Sequence, residues 1–310
     1  MDYEGQICRP PMERASFMLP VMVGCSYNAC KFCNLFRSVK SRRLPLEQIQ
    51  NELLRVKNLG GDLKTVFLGD GTAFGLPTAE LLSILKLIRK IFPNCTSVNM
   101  DARVKNILDK SDSELKLLQE NGVDYLYIGV ETGLDDVLAF MQKGHTICDA
   151  KLAIARLKKA GLNFGAHIMT GIAGKGRGQE NAKSLAEFFY KTKPSRIINF
   201  SLFLHEETPL GREIKNGNFL PATELENLQE EKTLIELLSK NGFTTNYDGL
   251  HDFIGFRVRG LLPQNKTQML AKLETKITEL KKAAAIYSFV RGECTIGVLE
   301  KTFNCEKVWG

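Results

Sequence analysis

A chain of 310 residues, 44% hydrophobic and 25% charged, holds enough apolar material for one large core and lacks the bias of a disordered or fibrous protein. Lysine and arginine exceed aspartate and glutamate by 42 to 35, a net charge of +7 that suits anionic partners without demanding them. No window approaches the roughly 18 uninterrupted apolar residues of a membrane span, and Asp2, Glu4, Arg9, Glu13 and Arg14 break up the region where a secretory signal would be apolar; a cytoplasmic location without membrane contact is expected.

Along the chain, short apolar runs alternate with helical periodicity. The first run, Met18 to Gly24, predicts a strand that leads directly into Cys25. Ile49, Leu53 and Val56 predict a helix up to Gly60, and Thr65 to Gly69 a second strand. Pro77 then opens a helix with Leu81, Leu85, Ile88 and Phe92 on one face, closed by Pro93. After a third strand at Ser97 to Met100, Ser111 and Glu114 form a capping box ahead of Leu115 and Leu118, and Gly122 ends that helix. Strands at Tyr125 to Val130, Phe164 to Met169 and Ile197 to Leu204 follow, with helices around Leu152 to Ala160 and Leu185 to Tyr190. Strands separated by helices pair in parallel, because a parallel crossover needs a dozen or more residues. Periodicity alone allows either a doubly wound sheet or an incomplete barrel. Beyond residue 215, a capping box at Thr223 and Glu226 predicts a helix to about Asn241, and Met269, Leu273, Ile277 and Leu280 mark another between Asn265 and Ala284. The expected organisation is an α/β domain over 1–215 and a mainly helical extension over 216–310.

Of eight cysteines (Cys8, Cys25, Cys30, Cys33, Cys95, Cys148, Cys294 and Cys305), three crowd into the segment after the first strand, with four residues between Cys25 and Cys30 and two between Cys30 and Cys33. In a reducing compartment this pattern points to a metal centre rather than a disulfide framework. Zinc would want a fourth protein ligand, for which Cys8 or His145 could serve. A [4Fe–4S] cluster usually takes four cysteines, so three would leave one iron open to an exogenous ligand. Cys8, Cys294 and Cys305 are also candidates for an auxiliary cluster, though buried free thiols are the ordinary case.

On these residues the chain resembles the radical S-adenosylmethionine (radical SAM) superfamily, whose usual signature is CxxxCxxC after the first barrel strand. Here the spacing is Cx4CxxC. The resemblance extends to Phe32, the aromatic before the last cysteine that lies near the adenine, and to Gly69, Asp70 and Gly71, which look like the motif receiving the methionine amino group. Tyr127 to Gly133 together with Lys143 closely resembles the Elp3/MiaB/coproporphyrinogen-oxidase-like branch, and implies that Glu131 and Lys143 hold the amino-acid part of the cofactor. A zwitterion needs both an acceptor for its ammonium and a cation for its carboxylate. Polar residues of the third strand, among Asn99, Asp101 and Arg103, are implied to reach the ribose or carboxylate, and Ile168 or Met169 to cover the adenine. His205, Glu206 and Glu207 fall where the family faces its substrate; no catalytic residue is assigned.

The resemblance covers roughly residues 15 to 215 and implies a partial (β/α)6 TIM-type barrel. It further implies a [4Fe–4S] cluster and S-adenosylmethionine, reductive cleavage to a 5′-deoxyadenosyl radical that abstracts hydrogen, oxygen sensitivity, and a ferredoxin or flavodoxin as electron donor. The substrate is unidentified. A small molecule is favoured over RNA, since neither a cobalamin-binding domain before residue 15 nor an all-β RNA-binding module after residue 215 is legible. The alternative is an iron–sulfur electron-transfer or zinc-binding scaffold protein that makes no radical.

Overall fold

The computed structural model describes residues 8–240 and 242–290, so Cys294 and Cys305 lie outside the described residues. In chain order the elements are β1 (Phe17–Gly24), β2 (Arg42–Arg43), α1 (Leu46–Asn58), β3 (Thr65–Gly71), α2 (Thr78–Ile91), β4 (Ser97–Ala102), α3 (Val104–Leu108), α4 (Asp112–Glu120) and β5 (Val123–Glu131). They continue as α5 (Asp135–Phe140), α6 (Ile147–Ala160), β6 (Asn163–Thr170), α7 (Gly178–Thr192), β7 (Arg196–Ser201), β8 (Leu204–His205), α8 (Pro209–Lys215), α9 (Glu224–Leu238), β9 (Thr245–His251), β10 (Phe256–Leu262), α10 (Lys266–Leu280) and β11 (Phe289–Val290). All six expected strands are present, with the last ending at Ser201 rather than Leu204. Among the described residues no helix is long and apolar enough to cross a membrane.

Two compact units divide these elements. The first comprises Met1–Ala29, Cys33–Gly129 and Cys148–Gly165. Its strands run in the order β2-β1-β3-β4-β5, with β1, β3, β4 and β5 parallel and β2 antiparallel at the edge. Seven of the eight residues of β1 are buried, as expected of a parallel strand covered on both faces. Helices α1 and α2 contribute Ile49 and Leu53, and Leu81, Ile84, Leu85 and Ile88, to the core. The capping box of α4 is formed: the Glu114 amide donates to Ser111 Oγ at 3.2 Å, and Glu114 Oε2 accepts from the Ser111 amide at 2.8 Å.

The second unit comprises Cys30–Phe32, Val130–Ile147 and Ala166–Gly310, and its strands follow the order β10-β9-β7-β6. Strand β9 pairs with β7 in parallel and with β10 in antiparallel register. Neither β9 nor β10 is legible as an apolar run, because the inward positions of β9 meet buried charge. Helix α9 turns Glu224, Glu230 and Glu231 inward, each at most 1% exposed. His251, at the end of β9, bridges two of them, with Nδ1 2.9 Å from Glu224 Oε2 and Nε2 3.0 Å from Glu231 Oε2. Tyr247 Oη and Asn199 Nδ2 each donate to Glu231 Oε1 at 2.9 Å. Glu224 also accepts from Ser201 and Ser288, while Glu230 accepts from Asn181 Nδ2 at 2.7 Å and from the Gly171 amide at 2.9 Å. At position 249 only glycine fits, since a Cβ there would lie 1.8 Å from Glu231 Oε1.

Burial alone would lower the pKa of His251, but Glu231 and Glu224 override it and push the imidazole up to about 10. Burial pushes the Glu230 carboxyl up to about 8. Both values are raised above the ordinary 6.5 and 4.5, so each group's stabilising contribution is fully present below its ordinary value and is lost as the pH rises through its folded one. Thermal stability should therefore decline from about pH 4.5 to about pH 10, and Glu230→Gln should remove the Glu230 share between about pH 4.5 and 8 while leaving the His251 share between about pH 6.5 and 10. His251→Leu leaves two buried carboxylates without their cation, at a cost on the order of 3–5 kcal/mol in denaturant titration.

Candidate active site

In the first unit, the segment carrying Cys25 is placed by a close approach of two glycines. The β1–β3 register shifts between Pro20 and Gly24, so that Gly24 comes opposite Gly71. A Cβ on residue 71 would lie 2.2 Å from the Gly24 carbonyl oxygen, and only glycine permits the contact. A Cβ on residue 69 would instead meet Met18 Cε at 2.5 Å, the tip of a side chain that can move aside. Between them Asp70 is 1% exposed and holds a left-handed backbone at φ +69°, a conformation costing about 1–3 kcal/mol for such a residue and found where structure demands it. Two residues on, Thr72 donates from Oγ1 to Cys25 Sγ at 3.4 Å. Burial would raise the Cys25 thiol pKa, but the Thr72 hydroxyl, the amides of Asn28 and Tyr27 and the charge of Arg103 together hold it below its ordinary value. Cys33 is tied back to its own loop, its carbonyl accepting from Arg37 Nε at 2.6 Å.

At β4 the three polar candidates separate. The Asn99 amide nitrogen donates to both oxygens of buried Glu13, at 3.1 and 3.0 Å, and its Oδ1 accepts from Ser97 Oγ and the Tyr125 amide. Tyr127 Oη and Ser16 Oγ complete the ring around Glu13 at 2.5 Å each. Asn99 thus knits the strands to the amino-terminal segment. Asp101 and Arg103 lie at the far end of the strand. Arg103 Cζ stacks 3.7 Å from the centroid of the Tyr27 ring. Burial, reinforced by Asp101, Cys33 and Asp70, drives the Cys8 thiol strongly upward and favours its neutral form.

The second unit gathers Phe32, Glu131 and Lys143. Glu131 ends β5 in a left-handed conformation, φ +66°, and is 4% exposed. Its Oε1 takes Lys143 Nζ at 2.6 Å, while Oε2 is buried and accepts no hydrogen bond. Lys143 Nζ stands 5.8 Å from the Phe32 ring centroid. A buried carboxylate oxygen without a donor is costly. Ile168 on β6 is fully buried, and on the same strand His167 stacks on Phe200 with centroids 5.8 Å apart.

Lys31, overlooked in the sequence because its role is set by distant partners, anchors the tripeptide Cys30–Phe32. Its amide donates to the Met141 carbonyl at 2.9 Å, its carbonyl accepts from the Leu210 amide at 3.0 Å, and Nζ meets Glu213 Oε1 at 2.6 Å and the Phe140 ring at 4.2 Å. Of the sequence-derived metal ligands, Cys25 and Cys33 belong to the first unit and Cys30 to the second. Among the described residues no three His, Cys, Asp or Glu side chains stand together closely enough to hold a metal ion.

Known proteins resemble this chain over the segment that carries these residues. The family model described as the Radical SAM superfamily matches residues 19–188. The chain is 28% identical over 153 residues to a protein named heme chaperone HemW of Bacillus subtilis, covering 47% of this chain and 40% of that one. It is 26% identical over 277 residues to the threonylcarbamoyladenosine tRNA methylthiotransferase MtaB of Thermotoga maritima, covering 79% and 62%. With 40%, 47% and 49% of the first three relatives spanned, the chain corresponds to about half the length of such proteins. Among solved structures, the coproporphyrinogen III oxidase HemN of Escherichia coli, a radical SAM enzyme, superposes with a TM-score of 0.59 at 17% identity over 73% of this chain and 52% of that one. The likeness shows the fold, a mixed α/β arrangement of parallel strands of the partial TIM-barrel type. The chain belongs to the radical SAM superfamily, whose members bind a [4Fe–4S] cluster and S-adenosylmethionine.

Proposed function

We propose that the chain is a radical SAM enzyme in which Cys25, Cys30 and Cys33 ligate the cluster and Glu131 and Lys143 receive the amino-acid end of S-adenosylmethionine. The observation that carries this reading is the buried Glu131 Oε2 that accepts no hydrogen bond, beside a lysine already in place. The ammonium of the cofactor supplies the missing donor, and its carboxylate suits the cation at Lys143. The donor chemistry suits the cluster: three thiols fall within nine positions of the sequence, Cys25 is biased toward thiolate, and one iron of four would be left for an outside ligand, while the three side chains are not gathered around a metal in this structure. When bound, the reduced cluster supplies an electron to the sulfonium and so generates the 5′-deoxyadenosyl radical.

This chain's own residues hold and orient. Gly69, Asp70 and Gly71 offer backbone groups where side chains are absent or turned inward, Asp101 contributes a polar side chain at the end of β4, and Phe32 and Ile168 supply apolar surface for the adenine. Such groups would fix the orientation of the cofactor toward its substrate. A small molecule is taken as the substrate in this reading, with RNA as the competing class. An acidic ferredoxin or flavodoxin suits the net charge of +7, and a cytoplasmic location suits an oxygen-sensitive cluster.

Anaerobic reconstitution should give about four irons per chain, and addition of dithionite and S-adenosylmethionine should yield 5′-deoxyadenosine and methionine. Alanine at any of the three cysteines should abolish both results. One equivalent of zinc with no cofactor cleavage would replace this reading with the scaffold one, and nucleic acid retained in a salt-dependent manner would replace the small molecule with RNA. Separately, Glu131→Gln and Lys143→Met should each weaken S-adenosylmethionine binding roughly 10- to 100-fold in equilibrium titration while leaving the iron content unchanged, the loss expected for one charge-assisted hydrogen bond.

A further inference from the structure

We infer that the basic run Arg37–Arg43, folded against both ends of the cysteine loop, is the docking surface for a small acidic electron-carrier protein. The inference rests on the proposed reading that Cys25, Cys30 and Cys33 ligate a cluster, and it locates the entry of the electron that such a cluster needs. Within seven positions the run holds four cations, Arg37, Lys40, Arg42 and Arg43, and no acid. Its backbone is tied to the loop at two points. Arg37 Nε donates to the Cys33 carbonyl at 2.6 Å. At the other end, the Ser41 backbone and the Val39 side chain close on Gly24, the residue before Cys25, each 3.4 Å from where a Cβ would stand there. Strand β2 then carries the run along the edge of the sheet, with Arg42 opposite Val23 and Arg43 opposite Met22, and the Leu44 amide donates to the Val21 carbonyl at 3.0 Å.

Lys40, Arg42 and Arg43 are exposed, and Leu35 and Leu46, on either side of the run in sequence, are 36% and 42% exposed. Cations alone serve to keep a sheet edge from unwanted pairing. Cations together with exposed leucines have the makeup of a small, transient electron-transfer interface, in which charge steers the encounter and a little apolar area holds it. Nucleic acid is drawn to the same charge. The contacts with the Cys33 carbonyl and with Gly24 favour the carrier, because an electron has to arrive close to the metal whereas a phosphate backbone does not. Transfer takes one electron from the reduced carrier, which is thereby oxidised, to the oxidised cluster, which is thereby reduced; no bond forms or breaks.

The test uses the anaerobically reconstituted full chain and an acidic flavodoxin. Lys40→Glu combined with Arg42→Glu should weaken flavodoxin binding on the order of tenfold in equilibrium titration at low salt and flatten its salt dependence, as loss of rim charge predicts. The same variant should slow 5′-deoxyadenosine formation driven by reduced flavodoxin, yet keep the wild-type iron content and the wild-type rate with dithionite, a small reductant that needs no docking surface. Leu46→Ser should weaken binding with its salt dependence intact. Lys281→Glu combined with Lys282→Glu changes the net charge equally but on the second unit, and should leave binding in place. An equal loss in that control, or wild-type flavodoxin binding by the Lys40 and Arg42 variant, overturns the inference. Should the double variant lose iron, Lys40→Glu alone carries the same expectation at smaller size, and wild-type binding by it is equally fatal. Loss of retained nucleic acid without loss of flavodoxin binding would assign the run to RNA instead. A wild-type chain that forms no 5′-deoxyadenosine even with dithionite sinks the radical reading beneath the inference, a failure distinct from unaltered flavodoxin binding.

Discussion

The first unit depends on one steric permission: two parallel strands can touch at Gly24 and Gly71 because residue 71 has no side chain. A Cβ 2.2 Å from the Gly24 carbonyl would force β1 and β3 apart at the point where the chain turns into Cys25. The contact brings Thr72 within hydrogen-bonding distance of the sulfur and leaves Asp70 buried in a backbone conformation that costs free energy. The thiolate bias of Cys25 and the seating of the Gly69–Thr72 segment are therefore two results of one packing event. Glu131 in the second unit is a parallel case. It too is a buried acid with positive φ at the end of a strand, held in place by a lysine twelve positions along.

What is buried differs sharply between the units. In the first unit the buried polar residues are dispersed: asparagine, tyrosine and serine ring Glu13, while Glu52, Asp70 and Lys110 are buried elsewhere. In the second unit, α9 brings three glutamates into the interior, met by one imidazole and by amide, hydroxyl and phenol donors. Satisfied in this way, the group is tolerated; with one member removed, the remaining charge has no solvent to turn to.

Strands β1, β3, β4, β5, β6 and β7 were legible because each is a short apolar run bounded by glycine or polar residues, and parallel strands buried on both faces leave that trace. Both capping boxes were legible because they are local, three residues from cap to carboxylate. Strands β9 and β10 were hidden for a physical reason. Along β9 the residues facing α9 are Tyr247, Gly249 and His251, chosen to meet a carboxylate and not to exclude water, so the run Thr245–His251 looks like a turn. Glu230 and Glu231 gave no hint of burial, since the sequence does not reveal that asparagine, tyrosine and histidine wait opposite. At the site, residue types and strand ends carried the resemblance through Cys25, Gly69 to Gly71, Glu131 and Lys143. Asn99 looks equally suitable in sequence, yet its amide is taken by a glutamate 86 positions earlier. Lys31 shows no signal of its own, because its partners at Phe140, Met141, Leu210 and Glu213 are all remote in sequence.

The polar interior of the second unit also settles how β9 lines up with its neighbours. Side chains alternate along a strand, so sliding β9 by a single residue would turn Tyr247 and His251 to the opposite face and bring Asn246 and Asp248 toward α9. An oily interior would tolerate such a slip at modest expense. In one built on matched donors and acceptors it would cost Glu224 its imidazole partner and Glu231 both its imidazole and its phenol, which disfavours the misaligned pairing.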